Sequence, residues 1–357
     1  QAAALTPAQA KAFTPKFVKF VSDDGVSGLT PATLAAIPPK SFAAISNLDA
    51  LTDVNTPALT SAQVNALTAA QITALSTTND DSQYLSKAAL AGLDKKNIVG
   101  LDVTKVTDEQ FTALTADQLN ALTTVANGQV ASLSETQVEL ITAAQAKGLT
   151  AKFIGAVEAG DVSKLSAAAI TALTPAAFAG LTGNISGLNA DNIAAFSSAQ
   201  VNSLSADKIK ALSAVDNAIE NLSPAALAGL DKKNIGGLDV TKLTPEQLAG
   251  LTVDQLNLFS TTSTAATANQ ITGLSVEQAA AITVKQAAGL SAKFVAALAS
   301  DDVAALTDTA FAAIAPKALA GLPSAQLVGL TSGNIALLTS AQVNALTSEQ
   351  ISALGDN

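Results

Sequence analysis

Residues 59–74 read Leu59-Thr60-Ser61-Ala62-Gln63-Val64-Asn65-Ala66 and then Leu67-Thr68-Ala69-Ala70-Gln71-Ile72-Thr73-Ala74, one eight-residue phrase written twice. Its consensus is Leu, then Thr or Ser, two variable residues, Gln, an aliphatic residue, a variable residue, and Ala or Gly. The phrase occupies most of the chain. In the last third, Leu274, Ile282, Leu290, Leu298, Leu306, Ile314, Leu322, Leu330, Leu338, Leu346 and Leu354 follow one another at eight-residue spacing without a slip.

An eight-residue period is not one face of a continuous helix. Eight residues rotate about 800°, so each Leu would stand about 80° from the last and the apolar seam would wander round the cylinder. Nor does it suit a strand, because apolar positions 1, 6 and 8 do not alternate and Ala and Gln are poor strand formers. The octad therefore contains a turn. Thr-x-x-Gln is a capping box: the hydroxyl accepts the N–H three residues on, and the Gln side chain reaches back to the Thr N–H. The Leu before Thr and the aliphatic after Gln stand where a hydrophobic staple packs. Pro7, Pro15, Pro175, Pro224 and Pro245 follow the cap, at the first helical position, where proline is tolerated.

Each octad thus predicts a cap and a helix of about six residues. A helix this short does not survive alone, so neighbours must hold it. Small residues at position 8 let backbones approach and the chain turn. The expected fold is an all-α solenoid of short capped helices, with a seam of Leu, Ile and Val inside and Asn, Asp, Lys, Thr and Ser outside.

A longer period lies above the octad. Ser86-Lys87-Ala88-Ala89-Leu90-Ala91-Gly92-Leu93-Asp94-Lys95-Lys96-Asn97-Ile98 returns as Ser223-Pro224-Ala225-Ala226-Leu227-Ala228-Gly229-Leu230-Asp231-Lys232-Lys233-Asn234-Ile235, 137 residues on. Lys16-Phe17, Lys152-Phe153 and Lys293-Phe294 recur likewise, the last interval being 141 residues. The chain reads as a partial long repeat at 1–85 and fuller ones at 86–222 and 223–357, in one continuous solenoid. Breaks in octad spacing recur in order (75 to 85 and 212 to 222, then 101 to 106 and 238 to 243). They are expected to be corners, with the long unit a turn or module.

Composition narrows function. Among 357 residues the chain has no His, Cys, Met or Trp, and all 19 basic residues are Lys. A Ser-His-Asp triad, a thiol nucleophile, a disulfide and an ordinary zinc or haem site are excluded. Without Arg, and with a net charge of −10, nucleic acid is not an expected partner. No apolar run approaches the length of a membrane span. A chain opening Gln1-Ala2-Ala3-Ala4 instead of with Met, and rich in Thr, Ser and Ala, is expected to be secreted or cell-surface material whose signal peptide has been removed.

Few residues stand out as sites. Asp94, Asp102, Asp231 and Asp239 fall where Thr normally caps, and Asp caps well. The acidic pairs Asp23-Asp24, Asp80-Asp81 and Asp301-Asp302 are the better candidates for calcium, which takes clustered oxygens, although solvated loop acids account for them equally simply. Phe17, Phe153 and Phe294 replace the octad Gln and are read either as contact residues or as core fillers. Tyr84, the single tyrosine, sits beside a polar break and is a further possible contact. No catalytic residue, cofactor or metal is assigned.

The Leu-Thr-x-x-Gln phrase resembles the signature of the Spy-type periplasmic chaperones of bacteria, small helical cradles that carry it a couple of times. Here it recurs along the whole chain, and no function is carried over from that likeness. In composition the chain resembles exported bacterial repeat proteins of the cell surface. The function expected is non-enzymatic and structural: self-association into a filament, surface layer or adhesive matrix. The alternative is an adhesin-like solenoid that binds a protein or glycan partner at a cell surface.

Overall fold

The computed structural model describes residues 1–77, 84–183, 185–213, 218–261, 270–327 and 330–355. Every regular element among them is helical. The α-helices run from four residues, as in Pro7–Ala10, to nine in Ala69–Thr77, and six-residue helices such as Ser61–Ala66 and Ala116–Ala121 fill a whole octad. The chain is an all-α solenoid of short capped helices.

The capping box forms as the octad predicts. The Thr60 hydroxyl accepts the Gln63 N–H at 3.3 Å, and Gln63 Oε1 accepts the Thr60 N–H at 2.9 Å. The same pair closes at Thr115 and Gln118, Thr244 and Gln247, and Thr339 and Gln342. These bonds satisfy amide groups that a helix start leaves without a partner. The residue after each helix, Leu67 or Leu122 for example, is extended and carries the chain into the next cap.

Each helix packs on the one three octads later. Pro7–Ala10 lies on Pro31–Ala36, Pro15–Val18 on Pro39–Phe42, and Pro316–Leu319 on Ser340–Ala345. A turn of the solenoid is therefore three octads. The breaks in spacing are not corners, as the sequence reading expected, because every octad boundary is already one. Where the spacing shrinks to five, a single 3-10 turn, Val103–Lys105 or Val240–Lys242, takes the place of an α-helix. The stacking continues past it, with Lys87–Ala91 on Asp108–Ala113 and Pro224–Ala228 on Pro245–Gly250. Nor is the long sequence repeat a turn, since it contains several.

The core is the seam formed by positions 1 and 6. Val64, Leu119, Val201 and Leu248 are fully buried, as are Leu34, Phe111 and Phe178, which stand at the same position 6. Full burial of one such side chain contributes about 1.5–3 kcal/mol, so the fold draws its stability from many similar small contacts. By compactness the chain divides into two units, Gln1–Leu188 and Asn189–Asn357. The long-repeat boundaries at 85/86 and 222/223 fall inside these units.

Candidate functional site

The side chain that the octad repeats most conspicuously does more than cap. Gln63 Nε2 donates to the carbonyls of Leu34 at 2.8 Å and Ile37 at 2.9 Å, which belong to the turn before. Gln118 does the same to Leu90 and Leu93, both at 2.7 Å, and Gln255 to Leu227 at 2.9 Å and Leu230 at 3.0 Å. The acceptors lie where one short helix ends and the next begins, among the last carbonyls that a helix leaves free. Each Gln is buried, so a carbonyl oxygen and an amide that would otherwise lack water satisfy one another.

Shorter residues take the role where they replace Gln. The Thr33 hydroxyl donates to the Leu5 carbonyl at 2.8 Å, and Ser41 to that of Phe13 at 2.7 Å. In a lengthened octad, Gln129 still closes the box on Thr123 across a loop turned by Asn127, at φ 56°. Gln270 still reaches the Leu238 carbonyl at 2.8 Å.

A second set of bonds runs the other way along the coil. Asn120, two residues after its Gln, donates to the Gly148 carbonyl at 2.8 Å and accepts the Thr150 N–H at 2.9 Å. Asn202 holds Gly229 and Asp231 in the same manner at 2.7 and 2.8 Å, as Asn257 holds Gly289 and Ser291 at 3.0 and 2.8 Å. Asn65 does so with Gly92 and Asp94. The pairs Asn65 and Asn202, and Asn120 and Asn257, lie 137 residues apart, so the long repeat spaces these clamps. Sequence reasoning missed both sets. The visible signal was a polar residue at position 5, beside the aliphatic seam, in nearly every copy.

The candidate cation ligands lie apart from one another. Asp23 accepts a hydrogen bond from Asn47 at 2.6 Å and, with Asp24, opens the helix Asp23–Ser27. Asp302 stands at position 5 and is buried, accepting the Ala299 N–H at 3.2 Å. Burial raises its pKa above the usual Asp range, partly opposed by the Ala299 N–H, while the charge of Asp301 adds to the rise. Asp80 and Asp81 lie outside the described residues. Among the described residues no three acids gather as a metal site would require. Asp102 and Asp239 act as caps, each accepting the N–H of the Thr two residues on, at 3.0 and 3.1 Å.

The aromatic candidates separate by place in the coil. Phe153 and Phe294 are fully buried and fill the seam. Phe17, at the same octad position, is 51% exposed because it belongs to the first turn and no turn lies beneath it. It packs on Phe13 with ring centroids 4.6 Å apart, beside Phe20, which is 80% exposed. The two rings line an apolar cavity of about 300 Å³ together with Leu5, Val18, Val26 and Leu29. Tyr84 is 37% exposed. Exposed ion pairs, Lys87 with Glu109 at 3.1 Å and Lys164 with Glu135 at 2.8 Å, join successive turns on the outside. Such pairs contribute little.

Comparison with known proteins bears on the repeat. A family model described as the ALTTAQ repeat matches residues 319–356. That stretch contains Ala345-Leu346-Thr347-Ser348-Glu349-Gln350, and the same phrase stands outside it at Ala66-Leu67-Thr68-Ala69-Ala70-Gln71. No curated protein matches the chain. A crystal structure of an engineered protein from a structural genomics consortium aligns over 99% of this chain and 94% of its own, at 15% identity and a TM-score of 0.22.

Proposed function

We propose that the protein is a non-enzymatic structural repeat protein that works by self-association, as a filament, surface layer or adhesive matrix outside the cell. One observation supports this above others: the recurrent side chains of the octad are used up in building the coil itself. Leu and the aliphatic residue fill the seam, Thr caps, and Gln joins each turn to the one before. What remains for the outside is a surface of small polar residues that varies from octad to octad. The extracellular setting rests on the acidic, Thr-, Ser- and Ala-rich composition. No helix among the described residues is long and apolar enough to cross a membrane.

Electron microscopy and light scattering of the purified chain test this reading. Ordered fibres or sheets, with scattering that rises with concentration, are expected. A dispersed monomer at millimolar concentration would overturn it.

A further inference from the structure

Inner turns show what covers each face of the coil, and two faces lack that cover. In the first turn Gln9 closes its capping box on Thr6, yet its Nε2 has no carbonyl opposite it and the residue is exposed. Phe17 and the apolar cavity lie on the same face. In the last turn, Gln342-Val343-Asn344-Ala345 repeats Gln63-Val64-Asn65-Ala66 residue for residue. Val64 is fully buried, whereas Val343 is 42% exposed and Ile351, one octad on, 51%. Asn344 is exposed and holds no clamp, although Asn65 grips the turn above it.

The two faces are complementary in donors and acceptors. One register of stacking places Gln9 Nε2 on the carbonyls of Ile335 and Leu338, the counterparts of Leu34 and Ile37 beneath Gln63. The same register places Asn344 against the Ala12 carbonyl and the Thr14 N–H, the counterparts of Gly92 and Asp94 above Asn65. A single placement thus satisfies both sets and sets Val343 and Ile351 against an apolar face.

Resting on the self-associating reading above, we propose that the partner is a second copy of this chain, stacked head to tail: the Gln9–Phe17 face of one copy sits on the Val343–Ile351 face of the next. The contact is heterologous, so each added copy leaves one face of each kind free, and growth continues unless a ring closes.

Two variants test it by sedimentation velocity. Q9K with F17K blocks the first face, and V343K with I351K blocks the last. All four side chains are exposed, and unchanged circular dichroism checks the fold. The unsubstituted chain is expected to give a series of oligomers that lengthens with concentration. Each variant alone should be monomeric, and an equimolar mixture should stop at a one-to-one dimer, since only one productive pair of faces remains. If both variants assemble as the parent does, these faces are wrong while self-association stands. Assembly by one variant alone, or monomers in the mixture, also overturns the head-to-tail contact. A parent chain that stays monomeric removes both readings.

Discussion

Gln118 has two tasks at once: its Oε1 caps its own helix and its Nε2 bonds the carbonyls of Leu90 and Leu93. A carboxylate keeps the first task and reverses the second, placing negative charge against two carbonyl oxygens. Gln118→Glu is expected to cost about 3 kcal/mol or more, since a buried group then lacks its donor. Gln9→Glu, with no turn beneath it, should change stability by less than about 0.5 kcal/mol. Urea unfolding of the two variants measures the contrast. Asp302 is the natural instance of the same conflict. Its pKa is raised in the fold, so the unfolded chain ionises first. Its unfavourable contribution is therefore absent below about pH 4 and grows as pH rises through the folded value. Asp302→Asn should match the parent at pH 3 and exceed it at pH 7, read from urea midpoints at both. The cap itself was legible in Thr-x-x-Gln, because it is a local bond. The second bond was not, because its partner lies a full turn away.

At the scale of the element, neighbouring glycines divide according to what lies opposite them. A Cβ on Gly237 would run into the Ala206 carbonyl, as one on Gly100 would into that of Ala69, whereas a Cβ on Gly236 meets nothing within 4 Å. Gly237→Ala is expected to destabilise by about 1–3 kcal/mol through forced separation of the turns. Gly236→Ala, which ends Lys232–Ile235 at φ −67°, should be neutral or stabilise by up to about 1 kcal/mol. Thermal melts of the adjacent variants check the difference. Small residues at position 8 announced close approach in the sequence. Which glycines need it did not follow, because the octad is written alike at crowded and open corners. The short breaks misled for a related reason. Spacing records how many residues a side of the coil uses, and a five-residue side made of a 3-10 turn takes the same place as an eight-residue one.

For the molecule as a whole, the octad fixed an all-helical solenoid but not the number of octads in a turn, since any number gives the same phrase. Packing supplies that number, and with it a test. Removing residues 282–305 excises three octads and leaves every later helix above an equivalent partner. Removing 282–289 alone shifts each later helix by one side. The longer deletion is expected to keep the helical signal per residue and lower the melting temperature less than the shorter one, as circular dichroism would record.

Because the links between turns are side-chain bonds and apolar contacts rather than backbone, mechanical load has no continuous covalent path along the coil. Tension applied across either unit should strip it one loop at a time, each regular loop of three octads releasing about 80 Å of extended chain. An optical trap would register this as a run of small, nearly equal rips, and relaxation should let the loops rewind one by one onto whatever remains folded.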